Sequence, residues 1–146
     1  MKKVLIVLAA LSALCSCGTT SSLYYWGDDA GGQSTYEQCF YKMAKTQSPQ
    51  SICNLVAAYE NIIRNPKGTR QLPPPGVCGE YGYLLLQPHT AEIFATNATA
   101  AQKKLFEGDD FILIFRQRGE EMLKAEFTNY PESERFIRPL LEKMRQ

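Results

Sequence analysis

Residues Pro73–Gln87, which read PPPGVCGEYGYLLLQ, decide how the rest of this sequence folds. Proline has no backbone N–H and is excluded from helix interiors, but the first turn accepts it, so we expect a helix to open at Pro75. From Val77 onward the apolar residues recur at the spacing of one helical face. Gly82 costs such a helix roughly 1 kcal/mol relative to alanine, and its simplest use is to let a neighbouring helix approach closely. The stretch therefore predicts the central helix of a small all-α domain.

The residues before this helix predict an antiparallel helical hairpin. Tyr36–Gln47 carries apolar residues on one face, and Ser48-Pro49 both ends that helix and starts another, because serine caps and proline fits a first turn. The second helix ends at Asn65-Pro66 and has the clearest amphipathic stripe in the sequence. That stripe comprises Ile52, Leu55, Val56, Tyr59, Ile62 and Ile63.

The residues after the central helix predict further short helices. Thr90 can cap one of them, and Thr99 with Gln102 matches a capping box. The apolar run after Asp110 suits a buried strand or a helix. No partner strand is evident, so we expect a short buried helical segment there and a separate helix over Glu120–Tyr130. Pro131 is expected to start the last helix, whose apolar stripe comprises Phe136, Ile137, Leu140, Leu141 and Met144.

The first sixteen of the 146 residues differ in character from the rest. Lys2 and Lys3 precede an uncharged apolar run, Val4–Leu14, which is too short to span a bilayer as a helix and is typical of a signal peptide. We therefore expect a signal peptide over 1–16, a lipidated tether and aromatic segment over 17–33, and one helical domain over 34–146.

Leu14-Cys15-Ser16-Cys17 resembles the lipobox of bacterial lipoproteins, with cleavage before Cys17 and attachment of palmitate-type acyl chains to that cysteine. Cys15 suits the role less well, because Leu14 would occupy the small-residue position next to the cut. The alternative is an ordinary secretory signal that happens to contain cysteines. Several acyl chains hold a protein firmly on a membrane. Gly18 stands where an aspartate would favour inner-membrane retention, so we expect the outer membrane, facing the periplasm.

The charge balance argues against nucleic acid as a partner. Cleavage after residue 16 would leave 14 basic and 15 acidic residues, a net charge near −1. Such a chain has no strong positive field to attract nucleic acid or an anionic membrane. Attachment to a membrane would therefore depend on the lipid.

Leu23-Tyr24-Tyr25-Trp26 is an aromatic cluster that contains the only tryptophan of the chain. It suits either a stacking platform for sugar or peptide, or a strap packed into a groove of the helical domain. We favour the strap, because four adjacent large side chains left exposed would promote aggregation.

The sequence offers no constellation typical of catalysis or of metal binding. Cys78 and His89 would lie at opposite ends of one helix, roughly 16 Å apart, which is too far for proton transfer. A zinc site needs about four convergent ligands, and the cysteines lack paired spacing. Asp28-Asp29 and Asp109-Asp110 suit solvated turns better than calcium loops. We expect no catalytic residue, no metal and no cofactor.

Three cysteines, Cys39, Cys53 and Cys78, remain after Cys17. In an oxidising compartment an odd number leaves at least one free thiol or an intermolecular bridge. If the hairpins stack, Cys39 and Cys78 lie at similar heights on neighbouring helices. We hypothesise a Cys39–Cys78 disulfide, and three buried thiols are the alternative.

Two hairpins of similar pitch, Tyr36–Pro66 and Pro75–Pro131, the second with an insertion, suggest a weak internal repeat. The second hairpin carries small residues and a closing proline at spacings similar to a degraded tetratricopeptide repeat. These residues are Cys78, Gly82, Leu85, Gly119, Leu123 and Pro131. Such hairpins need further units or a cap for stability, and Tyr130–Gln146 could be that cap.

Several tracts resemble a family of uncharacterised bacterial lipoproteins, known as domain of unknown function 4810, over nearly the whole mature chain. They are Cys17 with its short tether, Leu23-Tyr24-Tyr25-Trp26-Gly27, Pro74-Pro75-Gly76, Glu80-Tyr81-Gly82-Tyr83-Leu84-Leu85 and Tyr130-Pro131-Glu132-Ser133. The resemblance implies a helical, tetratricopeptide-like lipoprotein, often found beside a lipoprotein similar to the curli-secretion channel. Relative to shorter members, this chain has an insertion over 89–117. The family has no assigned catalytic residues, so none is carried over.

Two functions follow as expectations. The first is a non-catalytic adaptor or scaffold in an assembly of envelope lipoproteins. It would contact partners through Leu23, Tyr24, Tyr25 and Trp26 and through Tyr81 and Tyr83 on the central helix. The second is a periplasmic lipoprotein that binds glycan or peptide. Neighbouring genes would separate them, since secretion-channel lipoproteins favour the adaptor and glycan-degradation genes favour the binder.

Overall fold

The computed structural model describes residues 22–30 and 33–144 and confirms the all-α class. A two-residue antiparallel ladder, β1 (Asp29–Ala30) with β2 (Gln33–Ser34), precedes the helices. The helices are α1 (Thr35–Thr46), α2 (Pro49–Arg64), α3 (Val77–Leu85), α4 (Thr90–Asn97), α5 (Ala100–Lys103), α6 (Phe111–Asn129) and α7 (Glu134–Met144), with a 3-10 turn at Pro131–Ser133.

The predicted starts of several helices are confirmed by their caps. Ser48 caps α2, whose first residue is Pro49, as predicted. The sequence predicts that α1 begins at Tyr36, but it begins at Thr35, where Ser34 forms a capping box with Glu37. Thr99 and Gln102 form the predicted capping box at α5. In each case a side-chain oxygen accepts a backbone N–H that the helix itself leaves without a partner.

Helix α3 packs most extensively against α6 and also contacts α2 and α4. Its buried side chains face these neighbours, and Gly82 lies against Gly119 of α6. A Cβ atom added at Gly82 would lie 2.8 Å from the carbonyl oxygen of Gly119. The prediction that Gly82 admits a close helix neighbour is therefore confirmed, and α3 lies between the two longest helices.

Several helix boundaries differ from the sequence prediction. Thr90 does not cap α4 but is its first residue, and His89 at the N-cap makes no side-chain cap bond. Helix α3 begins at Val77 rather than Pro75, because Gly76 adopts a left-handed conformation at φ +88°. Residues Phe111–Asn129 form one continuous helix rather than two segments, since Gly119 is retained inside α6 by its contact with α3. Pro131 begins a 3-10 turn, and the last helix follows it.

Residues 89–117 contribute four phenylalanines to the hydrophobic core. The ring of Phe94 lies 5.4 Å from that of Phe106, 5.3 Å from Phe111 and 5.1 Å from Phe115. Phe94 and Phe115 are almost fully buried. These residues therefore extend the core, with α4 packed against α2 and α6.

In the last helix, α7, the predicted apolar stripe is only partly directed inward. Leu141 is buried, whereas Phe136 is 65% exposed. The side chain of Phe136 instead lies beside Arg135, whose guanidinium carbon is 4.5 Å from the ring centroid.

Candidate interaction surface

Residues 22–28, which we call the strap, run across the connector between α2 and α3. The backbone N–H of Thr69 donates to the carbonyl oxygen of Ser22 at 3.1 Å, and that of Arg70 donates to the carbonyl oxygen of Leu23 at 3.2 Å. Main-chain bonds of this kind do not depend on side-chain rotamers. They fix the beginning of the strap to the helical domain.

The rest of the strap is fixed as firmly. Thr35, the first residue of α1, donates to the carbonyl oxygen of Asp28 from its N–H at 2.9 Å and from its hydroxyl at 2.7 Å. Gly68 adopts φ +88°, and a Cβ atom added there would lie 2.6 Å from the carbonyl oxygen of Leu23. The connector therefore needs glycine at this position for both its conformation and its contact with the strap.

Two strap side chains are partly buried by contacts inside the chain. The ring of Tyr24 packs edge-on against Tyr130 at 6.5 Å, and the ammonium of Lys67 lies 4.5 Å from the ring centroid of Tyr25. The hydroxyl of Tyr25 donates to Asp28 at 2.7 Å. Burial raises the pKa of this hydroxyl, with the Asp28 carboxylate adding to the shift. These contacts agree with the expected strap packed on the helical domain.

The other two side chains of the Leu23–Trp26 cluster remain exposed. Leu23 keeps 61% and Trp26 keeps 38% of its surface accessible. Beside Trp26, a groove of roughly 470 Å³ is bordered by Tyr25, Tyr36 and Glu37. Leu23 and Trp26 are therefore the members of the cluster that are free to contact another molecule.

Trp26 stands at the outer end of a continuous row of aromatic rings. Its ring centroid lies 5.5 Å from that of Tyr36, which lies 5.5 Å from Tyr59, and Tyr59 stacks on Tyr81 at 5.1 Å. Phe40, which is 40% exposed, lies 5.8 Å from Tyr36. The row links the exposed strap to the centre of the domain through α1, α2 and α3.

Glu80 on α3 accepts hydrogen bonds from two tyrosines of this row. The hydroxyls of Tyr36 and Tyr59 donate to its Oε2 at 2.6 and 3.0 Å. Burial, reinforced by the neighbouring carboxylate, raises the pKa of both hydroxyls far above the ordinary value, so both remain donors at physiological pH. These bonds join α1 and α2 to α3.

A second carboxylate, Glu60 of α2, is fully buried. It accepts hydrogen bonds from the Tyr81 hydroxyl at 2.8 Å, from Nε of Arg118 at 2.8 Å and from Nε of Arg64 at 2.6 Å. Burial by itself would raise the pKa of Glu60, but the hydrogen bonds from Arg118 and Arg64 outweigh it and lower the pKa. The carboxylate is therefore charged in the folded chain, and its negative charge is matched by two guanidinium groups.

The prediction that Tyr81 contacts a partner is wrong. Its side chain is fully buried, stacks on Tyr59 and donates its hydroxyl to Glu60. Tyr83, two residues further along α3, is 49% exposed. Of the two tyrosines named on this helix, only Tyr83 reaches the surface.

The hypothesis of a Cys39–Cys78 disulfide is also wrong. Cys39, Cys53 and Cys78 are free thiols, and α1 packs on α2 while α3 packs chiefly on α6. Cys53 and Cys78 are buried, whereas Cys39 is partly exposed, so the alternative of three buried thiols holds for two of them. The hypothesis assumed that the first helices of the two hairpins are packing neighbours, and this assumption is wrong.

Cys78 and His89 have separate environments. Burial raises the pKa of the Cys78 thiol to about 12, with the Glu126 carboxylate adding to the shift. The thiol is therefore protonated at physiological pH. His89 is exposed, with its Nδ1 3.5 Å from the carboxylate of Glu92. In the part of the chain that the structure describes, no cluster of three or more His, Cys, Asp or Glu residues is placed to hold a metal ion.

Cys17, the predicted site of lipidation, and Cys15 lie outside the described residues. Within residues 22–30 and 33–144, no helix is long and apolar enough to cross a membrane. No family model, curated protein or solved structure matches this chain. The resemblance to the lipoprotein family therefore stays a prediction.

Sequence reasoning did not identify Glu60, Arg118 or Glu126 as structural residues. Glu126 is 3% exposed and accepts backbone N–H bonds from Gly76 at 2.8 Å and Gly79 at 3.1 Å. The sequence does contain a signal for the two glutamates, because Glu60 and Glu126 each interrupt an apolar stripe of their helix. A carboxylate within such a stripe indicates a buried partner.

Proposed function

We propose that this protein is a non-catalytic, lipid-anchored adaptor of the bacterial outer membrane that joins other envelope lipoproteins into an assembly. The strap carries the proposal. It follows the predicted lipid-bearing Cys17 after a short tether, is fixed to the helical domain at both ends, and leaves Leu23 and Trp26 exposed. An anchor attached to a fixed strap would hold the domain in a defined orientation on the membrane.

The exposed aromatic side chains support a role in contacting other molecules. Of the six residues that the sequence predicts to contact partners, three are exposed: Leu23 and Trp26 on the strap and Tyr83 on α3. Large aromatic side chains provide much of the binding energy in protein interfaces. We assign contact with other envelope components to these three side chains. The expected partners are lipoproteins, among them one similar to the curli-secretion channel.

Native extraction tests the adaptor. Envelopes are solubilised with a gentle detergent, and the mass of the particle that contains the protein is measured. We expect a complex well above the mass of the monomer, and we expect Tyr83→Ala to reduce its recovery. Tyr81→Phe is the matched control, because it changes a buried tyrosine on the same helix. A strictly monomeric protein, unaffected by Tyr83→Ala, would contradict the proposal.

The groove beside Trp26 supports a second candidate, a lipoprotein that binds glycan or peptide. Tyr25, Trp26 and Tyr36 offer ring faces, and the carboxylate of Glu37 lies at the same groove. Soluble peptidoglycan fragments should then change the fluorescence of Trp26 at saturable concentrations. No change in fluorescence would leave the adaptor as the supported function.

A further inference from the structure

We infer that the exposed side of the strap rests on the surface of the phospholipid bilayer, so that Leu23 and Trp26 contact lipid and Tyr83 is left for a protein partner. This inference rests on the proposed lipid anchor at Cys17. It divides the contact surface of the adaptor between membrane and protein.

The length of the tether limits how far the strap can lie from the membrane. Ser22 is five positions after Cys17, and a fully extended chain spans at most about 3.6 Å per residue, or roughly 18 Å in total. Ser22 and Leu23 are hydrogen-bonded to the connector at Thr69 and Arg70, so the strap cannot move away from the domain to lengthen this reach. The strap is thus the part of the described domain that the anchor holds nearest the lipid.

The chemistry of the strap suits the membrane–water interface. Tryptophan and tyrosine are enriched there because their rings are apolar at one end and polar at the other. Trp26 and Leu23 supply exposed apolar surface, while Lys67 and Arg70 lie beside the rings of Tyr25 and Tyr24. Basic side chains at this position are attracted to anionic phospholipid head groups.

Two acidic side chains at the strap, Asp28 and Glu37, are engaged in hydrogen bonds within the chain. Asp28 accepts the hydroxyl of Tyr25, and Glu37 accepts both the N–H and the hydroxyl of Ser34. The large side chains that remain exposed on the strap, Leu23 and Trp26, are apolar, and Ser22 and Asp28 are its exposed polar residues. Tyr83 lies six residues beyond the start of α3, about 9 Å along the helix axis, and is not part of the strap.

The single tryptophan makes the inference measurable. The lipidated mature chain is reconstituted into vesicles of phosphatidylethanolamine and phosphatidylglycerol, with and without phosphatidylcholine brominated on its acyl chains. Bromine quenches tryptophan fluorescence only at close range. We expect brominated lipid to quench Trp26, with its emission shifted to shorter wavelength than in the same chain carrying Cys17→Ser.

The matched control is Trp26→Phe combined with Ile112→Trp. Ile112 lies at the start of α6 and is 67% exposed. The strap contacts the other end of this helix, where the ring of Tyr24 packs against that of Tyr130. Ile112 and Tyr130 are 18 residues apart, about 27 Å along the helix. We expect quenching at Trp26 to exceed quenching at position 112 by about threefold or more, because a tryptophan at the membrane interface lies close to the brominated acyl chains and a solvated one does not.

The outcomes separate this inference from the proposed function. A chain that does not float with the vesicles would contradict the lipid anchor and, with it, this inference. A chain that floats while Trp26 is quenched no more than the tryptophan at position 112 would overturn this inference alone. That result would assign the strap to a protein partner and leave the adaptor intact.

Discussion

Glu60 shows how one residue connects three helices. Its carboxylate lies in α2, receives the hydroxyl of Tyr81 from α3 and is paired with Arg118 of α6. Removing one member of a buried ion pair is strongly destabilising, because the remaining charge stays buried without a partner. The residue therefore contributes both to stability and to the alignment of the helices around α3.

We predict that Glu60→Gln lowers the free energy of unfolding by about 3 kcal/mol at pH 7. The pKa of Glu60 is lower in the folded chain than its ordinary value of 4.5. The stabilisation that the Glu60 carboxylate provides is therefore fully present above pH 4.5, and it is lost as the pH falls through the lower pKa that Glu60 has in the folded chain. Urea unfolding at several pH values should show the difference between wild type and variant shrinking below about pH 4.5.

Glu121→Gln is the control, because Glu121 pairs with the same arginine, Arg118, but is 61% exposed. It should change the free energy of unfolding by no more than about 0.5 kcal/mol. If both variants lost the same free energy of unfolding at every pH, the burial of Glu60 would have no effect on stability.

Gly82 is a residue at which α3 lies tightly against α6. A methyl group there would lie 2.8 Å from the carbonyl oxygen of Gly119 and from Cγ of Leu123. We predict that Gly82→Ala lowers the free energy of unfolding by about 2 kcal/mol, although alanine favours helix formation, because the helices must separate. Tyr83→Ala, an exposed change on the same helix, should have a much smaller effect in the same unfolding experiment.

At the scale of elements, the start of α3 depends on a side chain from another helix. Gly76 at the N-cap has no side chain to accept a hydrogen bond, and the carboxylate of Glu126 in α6 takes that role for Gly76 and Gly79. A negative charge at a helix N-terminus also interacts favourably with the helix dipole. Glu126 therefore both caps α3 and aligns it against α6.

We predict that Glu126→Ala lowers the free energy of unfolding by about 2 kcal/mol, since the buried N–H of Gly79 and the partly buried N–H of Gly76 lose their acceptor. Hydrogen–deuterium exchange should quicken at the amides of Gly76 and Gly79 more than elsewhere in α3. Lys124→Ala, an exposed change on the same helix, is the control. Uniform acceleration across all helices would indicate general destabilisation rather than loss of a cap.

The element boundaries that sequence reasoning predicted well are those with local signals. Ser48-Pro49 and Thr99 with Gln102 specify helix starts through bonds within four residues, and these predictions are confirmed. The start of α3 depends instead on Glu126, fifty residues away in sequence. No local pattern at Pro75 or Gly76 reveals such a partner.

At the scale of the whole molecule, the all-α class was predictable but the packing order was not. Apolar periodicity identifies helices one at a time, whereas the choice of neighbour depends on close contacts such as that between Gly82 and Gly119. The hypothesis of a Cys39–Cys78 disulfide assumed that α1 and α3 pack as neighbours. The structure places α2 against α1 and α6 against α3.

We predict that the mature chain contains three titratable thiols in denaturant without reductant. In the native state the partly exposed Cys39 should react first, and slowly, because burial raises the pKa of its thiol. Cys53 and Cys78 should be protected until the chain unfolds. Cys39→Ser should abolish the native reaction, and fewer than three thiols in denaturant would show a disulfide that the structure lacks.

The proposed function joins these scales, because the strap, the aromatic row and α3 would connect the side of the molecule that we assign to the membrane with Tyr83. A photoreactive amino acid placed at position 83 in living cells tests this directly, with position 117 on α6 as an exposed control. Mass spectrometry of the crosslinked product should identify one envelope lipoprotein captured at position 83 and not at 117. Equal capture at both positions, or capture of no lipoprotein at position 83, would contradict the adaptor.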